Sequence, residues 1–460
     1  MTRLIVHPSG ALRGRVRVPG DKSIGHRALI FASLARGESR IEGLSDGEDN
    51  RSTLEVFRSM GVGFDQRDGA VVVHGVGLRG LSMPTQVLDC GNSGTTMRLL
   101  AGLLSGQRFG SRMVGDESLS KRPMLRVVGP LRARGAHVAG SPLGAAGGRA
   151  PDGEQCYAPI SIAPLVEGEG LAGIEYDMPV ASAQVKSCLL LSGLYAEGPT
   201  VLREPSVSRD HTERMMLALG VPLETAGSMV ALNPQDPDWS GGWNGFEWTV
   251  PGDISGAAFP IVAALSRPDS QITVEGVGVN PTRTGILDLL RLIGAGVQSI
   301  PKPDGAGGEP VADLQVTHGS TRPGLLGGEL LVRMIDEVPI FCALAARIEG
   351  TTEIRDAAEL RVKETDRIAA MARVLTAFGV KNEELEDGMR IHGGGALKGA
   401  KVHSEGDHRI AMSAAILGLS AEGETVIEGA ESIATSFPNF VDVFRSLGAD
   451  MRFAEPTSPG

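Results

Sequence analysis

Six times along the chain a short polar cap gives way to a run of small apolar residues. The first cap is Gly20-Asp21-Lys22-Ser23-Ile24-Gly25-His26-Arg27, which leads into Ala28-Leu29-Ile30-Phe31-Ala32-Ser33-Leu34. The others begin near Cys90-Gly91-Asn92-Ser93, Ala181-Ser182-Ala183-Gln184, Gly252-Asp253-Ile254-Ser255, Ile335-Asp336-Glu337 and Gly406-Asp407-His408-Arg409. Ser, Asp and Asn at such heads are N-cap chemistry, and the apolar runs behind them predict buried helices. A short β-like run, a loop and an amphipathic segment follow each one. That segment closes on Gly-Val or Gly-Ala at Gly61, Gly135, Gly220, Gly294, Gly379 and Gly448, the position where glycine stops a helix.

A unit of roughly 70 to 90 residues exceeds the solenoid range of about 20 to 50, so each copy reads as a small βαβα subdomain packed with its siblings around a shared core. The strongest internal match sets Val18-Pro19-Gly20-Asp21 against Val250-Pro251-Gly252-Asp253. It predicts two three-repeat domains, one over 21–252 and a discontinuous one made of 1–20 with 253–455. Residues 456–460 should fray. Gly- and Pro-rich stretches at 141–153, 233–245 and 301–310 are expected to be surface loops.

With 42% hydrophobic but only 4% aromatic residues in a chain of 460, the cores must be filled by Ala, Leu, Val and Ile. No apolar run approaches the roughly 18 residues of a membrane span, so a soluble, cytoplasmic protein is expected. Cys90, Cys156, Cys188 and Cys342 are scattered without a Cys-x-x-Cys pair and read as buried thiols, not metal ligands. A formal net charge of −11 argues against nucleic acid as the main partner.

The cations are nevertheless concentrated. Only eight of the 44 basic residues are lysines, and Lys22, Lys121, Lys186 and Lys363 all fall in or beside the repeat motifs. Capping alone accounts for any single copy. Cations at helix starts are unfavourable by a few tenths to about 1 kcal/mol, so their recurrence at Lys22, Arg27, Arg98, Lys121-Arg122 and Arg409 asks for an anionic ligand. The run Arg361-Val362-Lys363-Glu364-Thr365-Asp366-Arg367 can be read as a solvated charged helix or as part of the same anion site. His26, His211 and His408 lack metal spacing and are expected to play structural or supporting parts.

Gly20-Asp21-Lys22-Ser23 through Arg27, Gly91-Asn92-Ser93-Gly94-Thr95 through Arg98, the Arg361–Arg367 run and Asp407-His408-Arg409 together resemble the 5-enolpyruvylshikimate-3-phosphate synthases, in the right order over nearly the whole chain. The resemblance implies an α/β fold, a two-domain inside-out α/β barrel built from six βαβαββ repeats. It also implies an enzyme that moves the enolpyruvyl group of phosphoenolpyruvate to the 5-hydroxyl of shikimate 3-phosphate without metal or organic cofactor. Two phosphorylated carboxylates held side by side need a clamp of Lys and Arg. By resemblance Lys22, Ser23, Arg27, Ser182, Gln184, Ser208, Asp336 and Lys363 contact shikimate 3-phosphate. Lys22, Gly94, Arg122, Gln184, Arg367 and Arg409 contact phosphoenolpyruvate, so both halves contribute. Asp336, Glu364 and Lys22 are the catalytic set, Asp336 as base at the hydroxyl and Glu364 as proton donor and acceptor at carbon.

Glyphosate is expected to occupy the phosphoenolpyruvate site, with Gly94 setting sensitivity, and the protein is expected to act as a monomer. Ala183, Glu359 and Thr435 depart from residues found in many relatives and look like subgroup differences. The related transferase acting on UDP-N-acetylglucosamine carries a Lys-Asn pair and a loop cysteine, whereas here Ser23 follows Lys22 and the loop Gly115–Ser120 has no cysteine. A repeat scaffold would not need cations at helix starts, and an RNA binder should show more aromatic platforms than three Tyr and three Trp.

Overall fold

A computed structural model describes residues 2–142 and 155–454. The chain divides into two compact units. Unit 1 comprises Met1–Asp21, Pro251–Asp304 and Pro310–Gly460, and unit 2 comprises Lys22–Val250 and Gly305–Glu309. Each has its own apolar core.

The helices come in pairs. In unit 2 they are α1 (Lys22–Ser33) with α2 (Glu48–Ser59), α3 (Gly94–Ser105) with α4 (Leu125–Ala133), and α5 (Ala183–Gly193) with α6 (His211–Ala218). In unit 1 they are α7 (Ile254–Leu265) with α8 (Gly285–Leu292), then a one-turn α9 (Gly328–Val332) ahead of α10 (Val338–Ala345) with α11 (Arg367–Ala377), and α12 (His408–Gly418) with α13 (Phe440–Ser446). The first helix of each pair is buried on nearly every side, as its small-residue composition requires. Side-chain caps hold α3, α5, α7, α11 and α12, through Ser93, Ser182, Asp253, Asp366 and Asp407. The fifth repeat differs from expectation. Ile335–Glu337 is a 3₁₀ turn, and the Glu337 side chain does not cap α10. Proline in the first turn of α10 lacks the N–H that a cap would satisfy.

The six closing glycines all adopt left-handed φ, from 72° at Gly220 to 98° at Gly448, which terminates each second helix without a Cβ penalty. Among the described residues six four-stranded sheets complete the repeats, each with one parallel pairing and two antiparallel ones. In the second, third, fifth and sixth repeats the parallel pair brackets the buried helix, as a strand–helix–strand crossover demands. In unit 2, Glu247–Thr249 returns to lie parallel to Arg36–Glu42, in the sheet of the first repeat. In unit 1, Arg3–Val6 inserts between Thr425–Glu428 and Met451–Phe453. At the crossing of α3 and α5 the backbones nearly touch: a methyl group at Gly102 would overlap the Cys188 carbonyl oxygen.

Two stretches expected to be surface loops are partly interior. Trp243 is buried and its indole N–H donates to the Phe31 carbonyl at 2.9 Å. Ala306 and Glu309 are fully buried within unit 2, where Glu309 Oε1 lies 2.7 Å from His211 Nδ1. The 141–153 stretch beyond residue 142 and the 456–460 tail lie outside the described residues.

Candidate active site

In unit 2 the site residues gather where α1, α3 and α5 begin. Lys22, the first residue of α1, reaches Asp49 Oδ2 at 2.7 Å. One turn on, the buried Arg27 guanidinium donates to Thr212 Oγ1 (2.6 Å), Ser187 Oγ (2.7 Å) and the Ser23 carbonyl (2.9 Å). His26 is fully buried, its Nδ1 2.7 Å from Thr53 Oγ1. Thr53 Oγ1 is 2.7 Å from Thr96 Oγ1, which donates to the Ser93 cap at 2.7 Å, so a chain of polar groups joins α1, α2 and the head of α3. Burial pulls the His26 pKa from 6.5 to about 3, against the smaller opposing effect of Asp49. The imidazole is therefore neutral, an element of structure and not a base.

At the heads of α3 and α5 two guanidinia flank Gly94. Arg98 donates to Gln184 Oε1 at 2.7 Å, and Gln184 donates to Thr95 Oγ1 at 3.0 Å. Arg122 donates to Asn92 Oδ1 (2.8 Å) and Ser118 Oγ (3.1 Å). A methyl group at Gly94 would lie 2.9 Å from Arg98 Nη1 and 3.5 Å from Arg122 Nη1, so the missing side chain leaves both cations room. Ser182 caps α5. Buried beneath Ser208 is a triad: Lys186 Nζ lies 2.6 Å from both Glu204 Oε2 and Glu213 Oε1. Glu204 also accepts the Ser208 N–H at 3.3 Å, which fixes the Ser208 backbone. Burial pushes the Glu213 carboxyl above its ordinary value, with Lys186 opposing.

In unit 1 the second set is organised by Arg367, whose side chain is 1% exposed. Its Nε donates to Asp407 Oδ2 (2.7 Å), Nη2 to Glu364 Oε2 (2.6 Å) and Nη1 to Asp336 Oδ1 (3.4 Å). Burial opposes the charge, but Asp407, Glu364 and Asp336 outweigh it and hold the guanidinium above its ordinary pKa. Lys363 Nζ stands 3.8 Å from Asp336 Oδ1. Burial draws its ammonium below the usual lysine value, and Asp336 restores it only in part. Arg409 donates to the Asp336 carbonyl at 2.9 Å while its own N–H is held by Asp407.

Asp366 caps α11 and Arg367 is its first residue, so Arg361–Asp366 lies ahead of the helix rather than in it. Arg361 is engaged structurally, by Asp366 at 2.7 Å, Glu384 at 2.9 Å and two carbonyls. Within each unit, then, the expected residues share one region. Sequence reasoning missed Asp49, Thr212, Ser187, the Arg98–Gln184 bond and the Lys186 triad. Only repeat-head spacing hinted at any of them.

What this arrangement can do follows from its charges. Clustered Arg and Lys with hydroxyl and backbone donors suit phosphate and carboxylate, and two carboxylates on one buried guanidinium suit proton transfer at two atoms. A family model described as EPSP synthase (3-phosphoshikimate 1-carboxyvinyltransferase) matches residues 6–444. The chain is 50% identical to the 3-phosphoshikimate 1-carboxyvinyltransferase of Geobacter sp. (strain M21), over 96% of this chain and 98% of that one. It is likewise 50% identical to the protein of that name from Syntrophotalea carbinolica, over 96% and 98%. A solved EPSP synthase from Acinetobacter baumannii superposes with a TM-score of 0.86 at 40% identity, covering 99% of this chain and 100% of that one.

Proposed function

The chain belongs to the EPSP synthase family, and on that premise we propose how its residues divide the work. The enzyme transfers the enolpyruvyl group of phosphoenolpyruvate to shikimate 3-phosphate, in the shikimate pathway of aromatic amino-acid biosynthesis. In our reading Lys22, Ser23, Arg27, Ser182, Gln184, Ser208, Asp336 and Lys363 hold shikimate 3-phosphate. Lys22, Gly94, Arg122, Gln184, Arg367 and Arg409 hold phosphoenolpyruvate.

The reaction proceeds by addition and elimination. Asp336 takes the proton of the 5-hydroxyl as that oxygen attacks C2 of phosphoenolpyruvate, and Glu364 delivers a proton to the methylene carbon, giving a tetrahedral intermediate that still carries phosphate. Glu364 then removes a proton from the new methyl group, the double bond re-forms and phosphate leaves. Each proton transfer is worth about 10²- to 10⁴-fold, and cations fixed before charge develops supply much of the rest.

The observation that carries this division is the buried Arg367, bonded to Asp336 and Glu364 by different nitrogens. It keeps two carboxylates apart on one cation, as a base and an acid that serve different atoms must be. A guanidinium has five N–H donors; Asp336, Glu364 and Asp407 take one each, and the remaining two are the ones we assign to an anion.

Glyphosate should compete at the phosphoenolpyruvate set, the four unpaired buried cysteines fit a cytoplasmic protein, and the enzyme is proposed to act as a monomer. Among the described residues no helix is long and apolar enough to cross a membrane. The test is coupled phosphate release from phosphoenolpyruvate. Release is expected with shikimate 3-phosphate and not with UDP-N-acetylglucosamine, and comparable rates with both would overturn the assignment.

A further inference from the structure

The second copy of the opening motif has no part in the assignments above. Val250-Pro251-Gly252-Asp253-Ile254-Ser255 repeats Val18-Pro19-Gly20-Asp21-Lys22-Ser23, but Ile254 is buried at 1% exposure where the first copy has Lys22. With the cation of that position gone, a different one has taken its place. Arg283, 3% exposed, donates to Ser255 Oγ at 2.8 Å and to Asp253 Oδ1 at 3.4 Å. Its Nη1 also lies 3.7 Å from Glu337 Oε1. Ser255 Oγ donates to that same Glu337 oxygen.

Glu337 is fully buried and directly follows Asp336 in the 3₁₀ turn Ile335–Glu337. Two neighbouring acids on one turn thus face different partners. Asp336 meets Lys363 and Arg367, and Glu337 meets Arg283 and Ser255. Burial opposes the Arg283 charge, yet Glu337 first, then Asp253, Asp21 and Asp336, outweigh it and keep the guanidinium protonated. A buried carboxylate cannot leave such a partner without a large desolvation penalty. The turn therefore has little freedom to rotate, and the direction of Asp336 is fixed from behind.

We propose that Arg283, Glu337 and Ser255 are positioning residues for Asp336, aiming its carboxylate at the hydroxyl it deprotonates and its carbonyl at Arg409. The inference rests on Asp336 being the base. It accounts for the fourth repeat head, since the cap that binds substrate in the first copy anchors a neighbouring turn in this one.

The experiment is steady-state kinetics of phosphate release on Glu337→Gln, Ser255→Ala, Arg283→Met and Arg283→Lys, alone and in an Asp336→Asn background, with a thermal midpoint for each. Misaiming a reacting group by about 1 Å can cost on the order of 100-fold. Glu337→Gln is therefore expected to lower kcat by about 10- to 100-fold while the KM for shikimate 3-phosphate stays within about twofold. Arg283→Lys should recover part of what Arg283→Met loses. In the Asp336→Asn background Glu337→Gln should lower kcat little further, because its route through the carboxylate is already cut, and any residual effect through the carbonyl that Arg409 bonds should appear in the KM for phosphoenolpyruvate.

If Asp336→Asn alone keeps full kcat, the base assignment falls and this inference with it. If Asp336→Asn is slow but Glu337→Gln multiplies the loss undiminished, the base stands and the positioning role is overturned. Wild-type kcat in folded Glu337→Gln overturns it too. Should Glu337→Gln fail to fold, Arg283→Lys carries the same comparison.

Discussion

Arg367 holds Glu364 at 2.6 Å and Asp336 at 3.4 Å, and that difference in engagement bears on what each acid does. In the proposed division Glu364 both gives and takes a proton at carbon, while Asp336 only takes one from oxygen. Replacing either acid by its amide keeps the shape and removes proton transfer. Glu364→Gln and Asp336→Asn are each expected to lower kcat by about 10²-fold or more, with much smaller effects on shikimate 3-phosphate affinity. Isotope exchange at the methylene carbon of phosphoenolpyruvate should collapse only with Glu364→Gln. Full kcat in either variant would reduce that residue to a structural one. Gly94 is decided by crowding. Its absent methyl would press on Arg98 Nη1 at 2.9 Å, and overpacking commonly costs about 1 to 3 kcal/mol. Glyphosate, longer than phosphoenolpyruvate, should suffer more, so Gly94→Ala is expected to raise its inhibition constant more than it raises the KM for phosphoenolpyruvate. Equal losses in parallel titrations would remove Gly94 from discrimination.

The helix heads were legible from the order of residues because a cap is a local device. Ser93, Ser182, Asp253 and Asp407 bond N–H groups two or three residues on, and a run of Ala, Leu and Gly behind them suits only a buried helix. Ile335–Glu337 defeated the same reasoning, because the Glu337 side chain is drawn to Ser255, 82 residues away. Such pairings leave no trace in spacing. For the same reason Asp49 beneath Lys22 and Thr212 beneath Arg27 were invisible, and Arg361 could not be told from Arg367 although one bonds Asp366 and Glu384 and the other Asp407, Glu364 and Asp336. The polar chain from His26 through Thr53 and Thr96 has a measurable signature in acid. The folded pKa of His26, about 3, lies below the unfolded 6.5, so the unfolded chain takes up a proton that the folded one refuses. The stability involved is fully present above pH 6.5 and is lost as pH falls toward 3, at roughly 1.4 kcal/mol per pH unit. His26→Gln should flatten the urea-midpoint slope across that window, and an unchanged slope would place the acid sensitivity elsewhere.

The chain path is less regular than six repeats suggest, because residues 305–309 belong to unit 2 although their neighbours on both sides belong to unit 1. The stretch read as a loop since glycine and proline dominate it, and nothing in that composition announced that Glu309 would be fully buried beside His211. Glu309→Ala leaves a buried imidazole without this partner and is expected to cost about 1 to 3 kcal/mol, read as a lower denaturant midpoint. An unchanged midpoint would make the contact incidental. The strand Arg3–Val6, flanked by Thr425–Glu428 and Met451–Phe453, bears on how the protein is made. A ribosome delivers residues 22–250 in one stretch, so unit 2 can assemble early and lack only its five-residue inset. Unit 1 must keep its first strand waiting through more than 400 residues of synthesis, its apolar Leu4 and Val6 without their native cover. That strand therefore stays open to other contacts until residues 425–453 have been made.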